Sequence, residues 1–129
     1  MSAAIRYKGD VTLSFGVTSL DAAIDWYQQV LGFTLLYRLD DMGWCELQGP
    51  DKNITVGLGV REEVKPGGGS VPVWGVLDIA EARAALEARQ VRFDGDTVEI
   101  PNMVKLATFF DPDGNRHMLA QDLTGGSMS

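Results

Sequence analysis

The sequence predicts an α+β fold built from two tandem βαβββ modules, because one pattern of strands and helix occurs twice. Residues 11–58 and residues 71–119 each begin with an alternating strand, continue into an amphipathic helix and end in strands. Val17 in the first copy corresponds to Val76 in the second, 59 positions later, and the offset at the ends of the two copies is 61. Two similar modules that share one core favour a ligand cleft at their junction.

The first module shows its elements in order. Apolar residues alternate with small polar ones over Val11–Val17, which predicts a strand with one apolar face. Ser19 is a typical N-cap for the helix that follows, and Gly32 suits the left-handed turn that ends a helix. Three further strands are predicted over residues 33–39, 43–47 and 54–58.

The second module repeats this order with different residues. Asp78 and Glu81 have the spacing of a capping box at the start of the second helix. Gln90 lies where that helix ends, at a position better suited to glycine. The segment Asp-Pro-Asp-Gly-Asn at 111–115 is a strong turn signal. Strands are predicted over residues 71–76, 91–93, Val104–Phe110 and 116–121.

The chain length fits one domain over residues 1–129. Modules of about 50 residues each are too small to bury a sufficient core alone. Three consecutive glycines indicate a soft linker between the modules, and the glycine- and serine-rich end of the chain is expected to be frayed. The predicted boundaries are about 9–59 for module one, 60–70 for the linker, 71–121 for module two and 122–129 for the tail.

Composition excludes several classes of partner and compartment. The chain has 129 residues, a formal net charge of −7 and a sequence pI near 4.5, which opposes binding to nucleic acid or anionic lipid. The single cysteine excludes an intrachain disulfide and fits a reducing compartment. No long apolar run or secretory signal is visible, so we expect no membrane association and a cytoplasmic location.

Two motifs resemble the vicinal oxygen chelate superfamily, which includes glyoxalase I, extradiol dioxygenases and bleomycin-resistance proteins. The motifs are Leu20-x3-Ile24-x-Trp26-Tyr27-x3-Leu31-Gly32-Phe33 in the first module and Phe110-Asp111-Pro112-Asp113-Gly114-Asn115 in the second. The resemblance covers roughly residues 9–121. It implies a cup-shaped mixed sheet with the helices outside, and commonly a homodimer. Because the superfamily contains both metal enzymes and metal-free binders, the resemblance alone does not assign a function.

The resemblance also allows a test for a metal site. Metal-dependent members carry His, Gln or Glu at four inward-facing strand positions, which in this sequence are Thr12, Gly57, Val71 and Met118. A catalytic metal needs about three N, O or S donors, and these residues do not supply them. Shifting the alignment back by one residue yields His117 as the only good ligand, and shifting it forward by one residue yields none. We therefore expect no metal and no other cofactor.

Small and apolar residues are expected to line the cup. Their pattern favours a cavity for a flat organic molecule, and the alternative is ordinary filling of a closed core. The ligand-binding candidates are Thr12, Ser14, Trp44, Glu46, Gly57, Val71, Val73, Lys105, Arg116 and Met118.

Trp44 and Glu46 are the most informative pair among these candidates. Cys45 and Leu47 alternate with them and are expected to pack against the helix, which points Trp44 and Glu46 into the cup. Trp44 would stack against a ring, and Glu46 would anchor a cation or hydroxyl group. Desolvation by Trp44 would also raise the pKa of Glu46, which makes Glu46 the candidate general base. The alternative is a half-exposed edge tryptophan beside a solvated carboxylate.

Three other residues have less specific interpretations. His117 shares the alternation of Leu119, which predicts a partly buried, hydrogen-bonded side chain on the helix side of the sheet, and catalysis is the less favoured role. Cys45 is interpreted as a core residue, because no basic neighbour is evident to activate it. Lys105 and Arg116 either pair with an anionic group or with Glu46, or are solvated charges at the rim.

These observations favour a metal-free small-molecule binder that resembles the antibiotic-sequestering proteins of the superfamily. Its expected partners are a small, aromatic organic ligand and a second copy of the chain, with no nucleic acid and no membrane. One alternative is a glyoxalase- or dioxygenase-like lyase or isomerase that uses Glu46 as a base or an unrecognised metal site. A second alternative is a dimeric regulatory subunit without a ligand. The identity of the ligand and the type of dimer stay open.

Overall fold

The computed structural model describes residue 6, residues 8–65 and residues 71–125. Contacts divide the chain into two compact units, Met1–Glu63 and Val64–Ser129. Within the described residues each unit contains one helix and one mixed sheet, which confirms the predicted α+β class.

The first unit has the predicted βαβββ order. Its elements are β1 (Val11–Val17), α1 (Leu20–Gln29), β2 (Thr34–Leu39), a 3-10 turn (Asp40–Met42), β3 (Trp44–Gln48) and β4 (Ile54–Val60). Its sheet order is β1-β4-β3-β2, in which β1 is parallel to β4 and the other neighbours are antiparallel.

Local signals fix both ends of α1. The Ala22 backbone N–H donates to Ser19 Oγ at 3.2 Å, which satisfies one of the free donors at the start of the helix. Gly32 has a φ of 77°, and the Phe33 N–H donates to the Tyr27 carbonyl at 3.1 Å across the end of the helix. Both predicted helix ends are confirmed.

One face of the first sheet packs against α1. Phe15 and Tyr27 are in ring contact, with centroids 6.3 Å apart, and both are buried. Burying this apolar surface is the main favourable contribution to the stability of the unit. The buried residues of this core are Phe15, Val17, Leu20, Ala23, Ile24, Tyr27, Cys45, Leu47, Val56 and Leu58.

The second unit has one strand more than predicted. Its elements are β5 (Val73–Gly75), α2 (Ile79–Ala88), β6 (Arg92–Phe93), β7 (Val98–Ile100), β8 (Val104–Phe110) and β9 (Arg116–Asp122). The sheet order is β5-β9-β8-β6, and the additional strand β7 pairs with β8. The three residues of β7 are all exposed, so they lack the alternation that marks a half-buried strand.

The ends of α2 also follow the sequence signals. The Glu81 N–H donates to Asp78 Oδ1 at 3.1 Å, as the capping-box spacing predicts. Gln121 on β9 accepts a 2.8 Å hydrogen bond from the Ile79 N–H, so a strand side chain satisfies a second helix donor. Gln90 has a φ of 64°, a conformation in which glycine is favoured, and this confirms that the position better suits glycine.

Within each unit, the first and last strands pair in the same register. Phe15 pairs with Leu58 between β1 and β4, and Trp74 pairs with Leu119 between β5 and β9. These pairs are related by the offsets of 59 and 61 positions read from the sequence. The internal repeat is therefore structural as well as sequential.

The predicted linker and tail fall only partly on described residues. β4 continues to Val60 and β9 continues to Asp122, so each strand ends one residue beyond the predicted end of its module. The three glycines of the linker and the tail from residue 126 lie outside the described residues. In the described part of the chain, no helix has the length and apolar character needed to cross a bilayer.

Candidate functional site

The candidate site lies on the face of the first sheet opposite α1, which we call the Trp44 face. Strand alternation and register place the predicted residues Thr12, Ser14 and Gly57 on this face together with Trp44 and Glu46. Cys45 and Leu47 lie on the other face and are fully buried, as predicted. The Trp44 face consists of Tyr37, Trp44, Glu46, Gln48, Thr12, Ser14, Gly16, Thr55, Gly57, Gly59 and Arg61.

The Trp44 ring lies across β4 over two glycines. A Cβ atom added at Gly57 would overlap Cη2 and Cζ2 of Trp44, and one added at Gly59 would lie 3.4 Å from Trp44 Cε3. Gly57 therefore provides the space that the six-membered ring of Trp44 occupies. This is a physical reason for glycine at position 57, where the backbone conformation itself does not require it.

Two hydrogen bonds hold Trp44 and connect it to Glu46. Trp44 Nε1–H donates to the Tyr37 hydroxyl oxygen at 3.2 Å, and the Tyr37 O–H donates to Glu46 Oε2 at 2.5 Å. The hydrogen bond to the Glu46 carboxylate raises the pKa of Tyr37, because an ionised Tyr37 has no hydrogen to donate and would lose this bond. The indole and phenol hydrogens are thus both used inside the protein, and the second Glu46 oxygen is an acceptor for a ligand.

Hydroxyl groups line the β1 side of the same face. Thr12 Oγ1 and Thr55 Oγ1 lie 2.7 Å apart across β1 and β4 in a hydrogen bond. Ser14 pairs in register with Gly57 and is exposed. This part of the face offers hydroxyl groups rather than charged groups.

Sequence reasoning missed Tyr37, Thr55 and Arg61. Tyr37 follows a bulge in β2 between Leu35 and Tyr37, so simple alternation along β2 does not give its direction. Thr55 and Arg61 have the parity of Gly57, which was a usable signal, but Arg61 fell in the segment predicted as linker.

The corresponding face of the second sheet, which we call the Met118 face, carries three of the predicted residues. Val73 pairs with Met118 in register, and Arg116 lies two residues before Met118 on β9. Arg116 forms an ion pair with Asp94 at 3.2 Å. Val71 lies before the start of β5 and is half-buried.

Lys105 is a correction to the predicted site. It pairs in register with Gln121, whose side chain bonds to the start of α2, and it alternates with Leu106. Lys105 therefore belongs to the α2 side of the second sheet, whereas Arg116 and Met118 belong to the other side. The prediction was based on the charge of Lys105 and did not take into account that alternate residues of β8 face opposite sides of the sheet.

Phe110 stands between two arginines on the Met118 face. It pairs with Arg92 on β6 and with Arg116 on β9. The guanidinium carbons lie 4.2 Å and 5.3 Å from the Phe110 ring centroid, respectively. Both distances are typical of cation–π contact, which makes Phe110 a packing surface for the two charged groups.

His117 lies on the α2 side of the second sheet, as its alternation with Met118 predicts. It is fully buried and accepts a 3.0 Å hydrogen bond at Nδ1 from Trp74 Nε1–H. Its ring stacks on Phe109 and Trp74, with centroids 5.1 Å and 6.1 Å away. Burial lowers the pKa of His117 from 6.5 to about 4, so the ring is neutral at pH 7. Burial also raises the pKa of the Cys45 thiol, which disfavours its reactive thiolate form.

The residues at the four superfamily metal positions do not fit a catalytic metal. The Thr12 hydroxyl is bonded to Thr55, and Gly57 has no donor and lies under the Trp44 ring. Val71 has no donor, and the Met118 thioether is a weak one for Zn, Fe or Mn. Within the described ranges, no cluster of three or more His, Cys, Asp or Glu residues is placed to hold an ion.

Fold and site together define a class of protein: an α+β chain of two repeated modules with an aromatic and carboxylate group on one sheet face. The family model of the Glyoxalase/Bleomycin resistance protein/Dioxygenase superfamily matches residues 11–119. The chain belongs to this superfamily, and the predicted resemblance is confirmed. A search of curated proteins finds no match.

Solved structures with the same fold include proteins of different named roles. A superfamily member from Sphaerobacter thermophilus is 26% identical, with a TM-score of 0.76 over 93% of this chain and 100% of that one. The fosfomycin resistance protein FosX from Listeria monocytogenes is 10% identical, with a TM-score of 0.78 over 95% and 97% of the two chains. The antibiotic binding protein TnmS3 from a Streptomyces species is 23% identical, with a TM-score of 0.69 over 94% and 99%.

Proposed function

We propose that this protein binds a small planar organic molecule on the Trp44 face without a metal ion. The observation that carries the proposal is the position of the Trp44 ring over Gly57, fixed by its bond to Tyr37. A ring held in place loses little entropy when a ligand stacks on it, so more of the contact energy appears as affinity.

The chemistry of the face supports binding over catalysis. Trp44 offers apolar area, Thr12 and Ser14 offer hydroxyl groups, and Glu46 offers a hydrogen-bond acceptor. Such a mixture of aromatic surface and few polar groups is typical of ligand sites. Two proteins with this fold, the antibiotic binding protein TnmS3 and the fosfomycin resistance protein FosX, support an antibiotic-like ligand.

A fluorescence screen of planar aromatic antibiotics tests the proposal. We expect at least one compound to quench tryptophan fluorescence saturably in wild type, with affinity about 30-fold lower in Trp44→Leu because a central aromatic contact contributes about 2 kcal/mol. Trp26→Phe is the matched control, since Trp26 lies on α1 and should leave affinity unchanged. Equal affinities in wild type and Trp44→Leu would contradict the proposal.

Metal content gives an independent check. Protein purified without chelator should contain no stoichiometric Zn, Mn, Ni or Fe by elemental analysis, because the four superfamily positions lack a suitable donor set. A metal present at one equivalent per chain would overturn the metal-free binding role.

A second candidate function is acid–base catalysis by Glu46. It rests on the Tyr37–Glu46 hydrogen bond of 2.5 Å, which places a proton donor and a carboxylate together on the Trp44 face. Glu46→Gln separates the two functions, because Gln still accepts the Tyr37 bond but cannot act as a base. Weaker ligand binding alone supports the binder, and loss of a measurable lyase or isomerase rate supports the enzyme.

A further inference from the structure

We infer that the Trp44 face is polarised along the indole ring and selects a dipolar planar ligand. A cationic or hydrogen-bond-donating group of the ligand would bind at Glu46, and an anionic group would bind at Arg61. This inference rests on the proposed function, because it assumes that the ligand stacks on Trp44.

The negative end of the site is at the Nε1 edge of the indole. Nε1 donates to Tyr37, and Tyr37 donates to Glu46 Oε2. Since both hydrogens are used, the groups left for a ligand at this edge are carboxylate and phenol oxygens, which accept hydrogen bonds. The Cζ2 and Cη2 atoms at this edge lie over Gly57, the register partner of Glu46.

The positive end is at the opposite edge of the same ring. A Cβ atom added at Gly59 would lie 3.4 Å from both Trp44 Cε3 and Arg61 Nη1, so the guanidinium and the Cε3 edge both approach the space above Gly59. The Arg61 side chain is exposed, and within the described residues it forms no ion pair. A planar guanidinium with free donors is suited to a carboxylate or phosphate group.

Backbone pairing fixes the strand positions of Glu46 and Arg61. The Arg61 N–H donates to the Val17 carbonyl at 2.8 Å, which continues the β1–β4 ladder past the end of β4. Glu46 lies in the β3–β4 ladder opposite Gly57. Sheet register therefore fixes the backbone positions from which the two charged side chains project, and a rigid dipolar ligand would match both charges better than a singly charged one.

Four small aromatic probes of nearly equal shape test this inference. They are 4-(aminomethyl)benzoate, which is zwitterionic, benzylamine, benzoate and the neutral benzyl alcohol. At low ionic strength we expect the zwitterion to bind wild type about tenfold more tightly than benzyl alcohol, as measured by tryptophan fluorescence and by NMR titration. Benzylamine and benzoate should fall between them.

Two charge-removing variants assign the ends. Glu46→Gln should remove the advantage of the amino group, and Arg61→Gln should remove the advantage of the carboxylate. Asp25→Asn on α1 and Arg89→Gln at the end of α2 are the matched controls, since both side chains are exposed and neither lies on a strand of the Trp44 face. The controls should keep the wild-type order of probes.

The outcomes distinguish the inference from the proposed function. If all four probes bind equally and Trp44→Leu weakens all of them, binding on Trp44 stands and the dipolar preference is overturned. If the variants change all four affinities together, Glu46 and Arg61 do not select charge, and the inference is again overturned. If no probe binds wild type although an antibiotic of the fluorescence screen does, the dipolar preference is overturned while binding on Trp44 stands.

Discussion

At the level of single residues, His117 shows what alternation along a strand can predict and what it cannot. Alternation with Leu119 predicts that the ring faces the helix side, and the structure places it there, fully buried. The sequence does not reveal its partners, because Trp74 is 43 positions away in the chain. The bond from Trp74 Nε1–H to Nδ1 requires that nitrogen to be unprotonated, so the contact and the charge of the ring are linked.

We predict that His117 makes stability depend on pH. Its pKa is about 4 in the folded state against an ordinary value of 6.5 for an exposed histidine, so the unfolded chain takes up the proton first as the pH falls. Above pH 6.5 the neutral His117 ring does not reduce the free energy of unfolding. As the pH falls from 6.5 to about 4, the free energy of unfolding decreases by on the order of 3 kcal/mol. Urea denaturation at pH 7 and pH 4.5 measures the change.

The control for this prediction is His117→Gln. Gln retains a hydrogen-bond acceptor for Trp74 and has no titratable group, so the variant should lose clearly less stability than wild type between the two pH values. Equal losses in wild type and variant would show that other groups cause the pH dependence.

At the scale of elements, β3 and β4 together make the site. The sequence predicts the direction of Trp44 and Glu46 from the apolar pair Cys45 and Leu47. It does not predict that the Trp44 ring crosses β4, since this depends on strand register and on the space above Gly57. The sequence also does not predict the direction of the Tyr37 side chain, because the bulge in β2 breaks the alternation of side chains along that strand.

We predict that Gly57→Ala disturbs the Trp44 face. The added methyl group would overlap the Trp44 ring, so the ring must move and its bond to Tyr37 is strained or lost. Overpacking of this kind costs about 1–3 kcal/mol of unfolding free energy. The emission spectrum of Trp44 should shift, and ligand affinity should fall.

Gly75→Ala is the matched control on β5. A Cβ atom added at Gly75 meets nothing within 4 Å, so its unfolding free energy should stay within about 0.5 kcal/mol of wild type. Equal effects of the two substitutions would show that Gly57 is not needed to make room for Trp44.

Most of the helices and strands could be predicted because their signals are local. The caps Ser19 and Asp78 and the turn at 111–115 depend on neighbouring residues, and each is present in the structure. The strand β7 could not be predicted, because its exposed residues carry no burial pattern and it forms only by pairing with β8. The direction of Lys105 was predictable from parity but was overlooked.

At the scale of the whole molecule, we predict a homodimer. This expectation comes from the superfamily resemblance, and exposed apolar side chains such as Leu77, which is 99% exposed, are compatible with a protein interface. Light scattering coupled to gel filtration should give twice the chain mass of 14.0 kDa. A mass of one chain at micromolar concentration would contradict the prediction.

The common register of the two units has a consequence for how specificity can change. Ser14 and Gly57 in one unit occupy the places of Val73 and Met118 in the other, while buried partners such as Leu58 and Leu119 stay apolar. The same strand arrangement therefore carries a hydroxyl group and a glycine in one unit and larger apolar side chains in the other. Altering either surface by mutation should retune recognition while leaving the hydrophobic interior of that copy intact.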